Sequence, residues 1–181
     1  MQTGWEEITV NGNSFQALIT RLEKGDKEFL RDIYFRWKKL NEDIKKESTR
    51  GINLPEFISE NAFCLFFPSV RVVKLKKGKC SFDCIDLKTG KRQQIKASSI
   101  KSDLTSFGPR SEWDELFFLD FSKGDGSFQV FKIDADLIYK HKVNKNQTFE
   151  EQQGQARRPR FSIIDKIIIP KGIKPIKVCK L

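Results

Sequence analysis

Residues 81–98 read SFDCIDLKTGKRQQIKAS, and in them an acid, an amide and a lysine stand at spacings that one β-hairpin can bring to a single face. Two strand-compatible runs flank Lys88-Thr89-Gly90-Lys91, whose Thr-Gly centre signals a tight turn. With a loop of two or four residues, Asp83 lies opposite Lys96 and Ile85 opposite Gln94, so Asp83, Gln94 and Lys96 share a face. Asp86 then falls on the other face, opposite Gln93. A one-residue bulge in the loop would reverse that choice and bring Asp86 in. Asp83 can hold a divalent cation through hard oxygen, and the Gln94 side-chain carbonyl and Ile95 main-chain carbonyl can complete the shell. Lys96, two residues past Gln94, can hold an attacking water or stabilise charge growing on a phosphate. The chemistry this set serves is metal-dependent phosphodiester hydrolysis, which needs no nucleophilic side chain.

These residues need a scaffold. Phe15, Leu18, Ile19 and Leu22 form one apolar stripe at helical spacing, and Phe29, Ile33, Trp37, Leu40 and Ile44 form a second beyond Gly25-Asp26, so two N-terminal helices are expected. Asn53 is the expected cap of a third helix, with Pro55 in its first turn and Glu56 and Glu60 on one side. Strand material follows at 70–75, in the two hairpin strands, at 116–121 and at 128–133. Leu116-Phe117-Phe118-Leu119 is apolar on both faces, as in a strand covered on both sides. Residues 103–114 leave room only for a short helix or loop, and 163–169 supply a closing apolar element limited by Pro170 and Pro175. That order predicts an α/β mixed-sheet sandwich.

The chain has 181 residues and a formal net charge of +10. Residues 140–181 hold eleven Lys and Arg against three acids, so +8 of the +10 lies there. No basic amphipathic helix with an aromatic edge accompanies this charge, which points to a nucleic acid before a membrane. Cys64, Cys80, Cys84 and Cys179 show no C-x-x-C spacing and have only His141 as a possible partner, which argues against zinc and for reduced thiols. Neither a signal layout nor a membrane-length apolar window is present, so a cytoplasmic protein is expected.

At the hairpin the chain resembles the PD-(D/E)XK nuclease superfamily and, more narrowly, its small type II restriction endonucleases. Asp83 matches the motif aspartate and Gln94-Ile95-Lys96 the E-x-K tripeptide. Phe82 stands where the motif has proline, and Gln94 where it has an acid, which removes a charge from the metal site. The resemblance implies a second carboxylate from the helix preceding the core: Glu60 is the candidate, with Glu56 one turn earlier as the alternative. It continues through Ser98, 105–109, 113–119 and 155–162, about residues 48 to 165, and points to enzymes that cut GC-rich sites of the GCNGC type.

The implied fold is a PD-(D/E)XK-like mixed central sheet flanked by helices, with an N-terminal helical extension. Residues 1–181 would form a single nuclease domain, with helices in 1–47, the catalytic core in 48–135, and a basic DNA-recognition segment and closing elements in 140–181. The implied activity is sequence-specific hydrolysis of double-stranded DNA with Mg²⁺ held by Asp83, Glu60, Gln94 and Ile95. The implied partners are a second copy of the chain, matching a palindromic site, and a DNA methyltransferase encoded nearby in a prokaryote. Ser98, Gln155, Arg157, Arg158 and Arg160 are the candidate DNA contacts. Residues 144–160 mix amides with arginines, the side chains that read adenine and guanine edges bidentately. Arg158 and Arg160, which bracket Pro159, are the expected base readers and Arg157 the expected phosphate contact. A structure-selective nuclease would need the basic groove without the reading segment, and a non-catalytic DNA-binding protein would bind without metal-stimulated cleavage.

Overall fold

The computed structural model describes Met1–Leu181. Its elements are β1 (Gln2–Val10), β2 (Asn13–Arg21), α1 (Asp26–Glu47), α2 (Glu56–Phe66), β3 (Ser69–Leu75), β4 (Cys84–Asp86), β5 (Arg92–Ser98), β6 (Thr105–Ser106), β7 (Glu115–Asp120), β8 (Ser127–Ile133), α3 (Ala135–Tyr139), α4 (Phe149–Gly154), β9 (Arg160–Phe161), a π-helical turn (Ile164–Ile168), α5 (Ile169–Lys171) and β10 (Lys177–Lys180). Eight strands form one mixed sheet in the order β1-β2-β3-β4-β5-β7-β8-β10, in which only β5 and β7 run parallel. β6 and β9 make a separate two-stranded ladder.

Helices cover both faces, giving the expected α/β mixed-sheet architecture. On one face Leu30, Tyr34 and Trp37 of α1 and Ile58, Ala62 and Phe63 of α2 pack on Ile95, Phe117, Leu119, Phe128 and Val130. On the other, Leu116, Phe118, Phe131 and Ile133 meet Ile138 of α3, Phe149 of α4 and Ile167 of the π-helical turn. Strand β7 contributes alternate residues to both clusters, which accounts for its unbroken apolar run.

The first expected helix is a strand. Residues 13–21 pair with β1 along its whole length, and Ala17 and Ile19 are fully buried while Phe15 and Leu18 are not. The 15, 18, 19, 22 stripe fits a helical period, but 15, 17, 19 fits a strand equally well. Asn11-Gly12 breaks the tie, with φ of 48° and 80° supplying the two left-handed residues of a tight hairpin turn. A bulge between Leu18 and Ile19 bends the strand, and the first hairpin tip reaches the second, where the Asn11 N–H donates to the Gly90 carbonyl at 3.4 Å. The curl encloses Ile8, Val10, Ala17, Ile19, Val70, Val72, Phe82 and Ile85. A side chain at Gly90, whose φ is +69°, would put its Cβ 2.9 Å from the Thr9 carbonyl oxygen.

Asn53 does not cap α2. Helix geometry starts after Pro55, whose extended backbone serves as the cap residue, and the Asn53 carbonyl instead accepts from Trp37 Nε1 at 3.1 Å. A residue that precedes proline is driven out of the helical region, so the helix cannot extend back through Leu54. In the basic segment, 149–154 form a short helix within a stretch that has no apolar period. A reciprocal capping box between Thr148 and Glu151 starts it, and burial of Phe149 and Gln152 holds it down.

Candidate active site

The β4–β5 hairpin turns one residue earlier than its composition suggests, which shifts the cross-strand register by two. Asp86 donates its N–H to the Lys91 carbonyl at 3.0 Å, and Cys84 lies opposite Gln93, so the loop is Leu87–Gly90. The Asp86 carboxylate selects this register by accepting from the N–H groups of Lys88 and Thr89, both at 2.8 Å. A slip of two preserves the alternation of side chains. Asp83 therefore stays with Gln94 and Lys96 but now meets Gln94, while Asp86 is committed to the turn.

Asp83 sits just before β4. Its Oδ2 accepts from the Ile95 N–H at 2.8 Å and from Gln94 Nε2. Gln94 is 3% exposed, and its neutral amide donates where an acid would repel. Turning that amide by half a rotation would present its oxygen to a cation held on Asp83. From α2, Glu60 is 5% exposed and accepts from Arg71 Nε, with Arg71 standing opposite Cys84 on β3. Glu56, one turn earlier, is exposed at the helix start. Lys96 extends from β5 with its Nζ 5.6 Å from the Phe107 ring centroid.

Burial pushes the Glu60 carboxyl from its ordinary 4.5 up to about 7, the Asp83 charge adds to the rise, and the Arg71 guanidinium opposes it without prevailing. Burial also raises the Asp83 carboxyl, although a solvent-reachable edge remains; the Lys96 ammonium and the Ile95 N–H pull it back. The thiols of Cys80 and Cys84 are raised by burial too, and the charges of Asp83 and Glu60 add to both rises. Four groups thus report a locally negative, poorly solvated spot. No three His, Cys, Asp or Glu side chains converge here. The available oxygens are two carboxylates, one amide and one main-chain carbonyl, a hard-donor set suited to Mg²⁺ and able to leave coordination positions for water and phosphate.

The raised Glu60 pKa gives a stability signature without metal. Because the folded value lies above the unfolded one, the stabilisation is present below about pH 4.5 and is lost as pH rises through about 7, a change on the order of 3 kcal/mol. In EDTA, the melting temperature of wild type should fall across that window relative to Glu60→Gln. Parallel pH curves for the two proteins would remove Glu60 as the source.

Arg71 and Phe107 did not stand out in the sequence. A basic residue in a strand three positions past Pro68 carries no local signal of a partner on α2, and Phe107 reads as ordinary core. The proposed DNA contacts fall in two groups. Arg157, Arg158 and Arg160 are exposed, and Arg157 Nη1 donates to Gln147 Oε1 at 3.3 Å. Exposed Gln155 accepts from Gln147 Nε2 at 2.9 Å through its Oε1. Ser98, by contrast, is 3% exposed; its hydroxyl donates to the Ile100 carbonyl at 2.6 Å and accepts the Ile100 N–H at 3.0 Å, so it orders the end of β5.

No helix is long and apolar enough to cross a membrane. All four cysteines are free. No solved structure matches the chain. Residues 22–170 match the Bsp6I restriction endonuclease family. The type II restriction enzyme Bsp6I of Bacillus sp. (strain RFL6) is 36% identical over 166 residues, which cover 90% of this chain and 92% of that protein. The matched span contains Glu60, Asp83, Gln94, Lys96 and the arginine segment, and the chain belongs to the Bsp6I restriction endonuclease family and acts as a type II restriction endonuclease.

Proposed function

We propose that this restriction endonuclease works by PD-(D/E)XK chemistry, with Mg²⁺ held by Asp83, Glu60, the Gln94 amide oxygen and the Ile95 carbonyl. The observation that carries the reading is the placement of two poorly solvated, mutually repelling carboxylates beside Gln94 and Lys96. A divalent cation there would polarise the phosphoryl oxygen and acidify a water. Lys96 orients the attacking water and stabilises the charge that develops as the 3′ oxygen leaves in line. Each chain supplies one such set, so cutting both strands of a palindrome calls for a homodimer whose two-fold axis coincides with that of the site. The GCNGC type of site is carried over from the resemblance, and with it a methyltransferase that protects that site. Incubation of unmethylated plasmid with the protein in Mg²⁺ should give discrete fragments with ends at one short sequence. A smear would mean a nonspecific nuclease, and intact plasmid a binding protein.

The arginines should separate by role, since a segment interrupted by Pro159 cannot aim Arg157, Arg158 and Arg160 at one base edge. Alanine at a base reader, expected at Arg158 or Arg160, should cost about 1–3 kcal/mol on cognate DNA and leave the salt slope unchanged. Alanine at a phosphate contact, expected at Arg157, should weaken every sequence alike and reduce the slope by about one. Equal losses for all three variants on cognate and scrambled duplexes would make the segment a basic grip and place recognition elsewhere.

A further inference from the structure

Fully buried Phe107 touches both halves of the machinery. Its ring lies against the Lys96 ammonium, with Nζ 5.6 Å from the centroid, inside the range in which a cation is attracted to an aromatic face. Its backbone is hydrogen-bonded to the end of the arginine segment. Thr105 pairs with Phe161 and Ser106 with Arg160, and the ladder runs one step further as the Phe107 N–H donates to the Pro159 carbonyl at 3.1 Å. Gln153 Nε2 adds a tie to the Gly108 carbonyl at 2.9 Å. The ring also stacks on Phe161, centroids 5.8 Å apart, and meets Phe149 edge-on at 5.0 Å. A displacement of residues 158–161 would therefore be passed to the ring that fixes the lysine.

We infer that Phe107 is a positioning residue that couples the arginine segment to Lys96, so that seating those arginines on the correct bases places the ammonium for attack. This rests on the reading of Lys96 and the arginine segment given above. Lys96 has no carboxylate within ion-pair distance, so the ring is the fixed surface that limits where its long side chain can go. Misplacement of a catalytic group by about 1 Å can cost on the order of a hundredfold in rate. A mobile lysine should thus slow the chemical step without loosening DNA.

The test compares Phe107→Leu with Phe131→Leu, each a buried aromatic of the same cluster but only the first against Lys96. Single-turnover cleavage of cognate DNA should fall about 10- to 100-fold for Phe107→Leu and less than about threefold for Phe131→Leu, with cognate binding in Ca²⁺ nearly unchanged for both. On duplexes with one altered base the Phe107→Leu rate should match wild type, so that discrimination is compressed. Circular dichroism checks folding, and Phe107→Met carries the same comparison if Phe107→Leu does not fold. Wild-type cleavage by Phe107→Leu, or an equal loss in Phe131→Leu, would overturn the coupling. Lys96→Ala, run alongside, separates the two levels: if it cuts normally the site reading fails, and if it is inactive while Phe107→Leu is normal only the coupling fails.

Discussion

Asp83→Ala is expected to slow cleavage by ~10³-fold or more, because the stabilisation lost with a catalytic cation amounts to several kcal/mol and each 1.4 kcal/mol is about tenfold in rate. Binding of cognate DNA in Ca²⁺ should stay within about tenfold of wild type, since Asp83 faces Gln94 and the Ile95 N–H and grips no DNA in this account. The paired control is Asp86→Ala. Its carboxylate closes the turn over Lys88 and Thr89, so that variant should lose some stability and keep its turnover. The reverse pattern, with Asp83→Ala active and Asp86→Ala dead, would mean that the hairpin presents the other acid.

Lys96→Ala should reduce the single-turnover rate by about 10²- to 10³-fold, the usual effect of removing one preorganised donor from developing charge. Asp83 should also lose the ammonium that opposes the rise in its pKa, so metal binding should need a higher pH than in wild type. Affinity for DNA should change much less than rate. Lys96→Arg keeps the charge but not the compact, rotatable head, and partial recovery is expected. An unimpaired Lys96→Ala enzyme would remove the tripeptide assignment.

The hairpin that carries the site was legible because strand alternation survives an error of two in register: Asp83, Gln94 and Lys96 keep one face whichever loop is chosen. The same property hid the true partner of Asp83, which local turn chemistry at Asp86 determines. Strand β7 was legible from its two-sided apolarity. Strand β2 was misread since its apolar residues satisfy both periods, although Asn11-Gly12 held the deciding signal. Non-local pairings were the least legible. Arg71 reaches Glu60 across eleven residues and from a different element, and 105–107 meet 159–161 across more than fifty, so neither relation follows from the periodicity of one helix or strand. Such contacts exist only after the sheet has assembled, and they are what bring the arginine segment beside the lysine.

The central claim is that Asp83 and Glu60 together hold a divalent cation, and Mn²⁺ binding followed by electron paramagnetic resonance on DNA-bound protein reads it directly. Wild type should show a saturable site that Asp83→Ala abolishes and Glu60→Gln weakens, while Asp86→Ala leaves it intact. Undiminished Mn²⁺ binding in Asp83→Ala and Glu60→Gln would contradict the account.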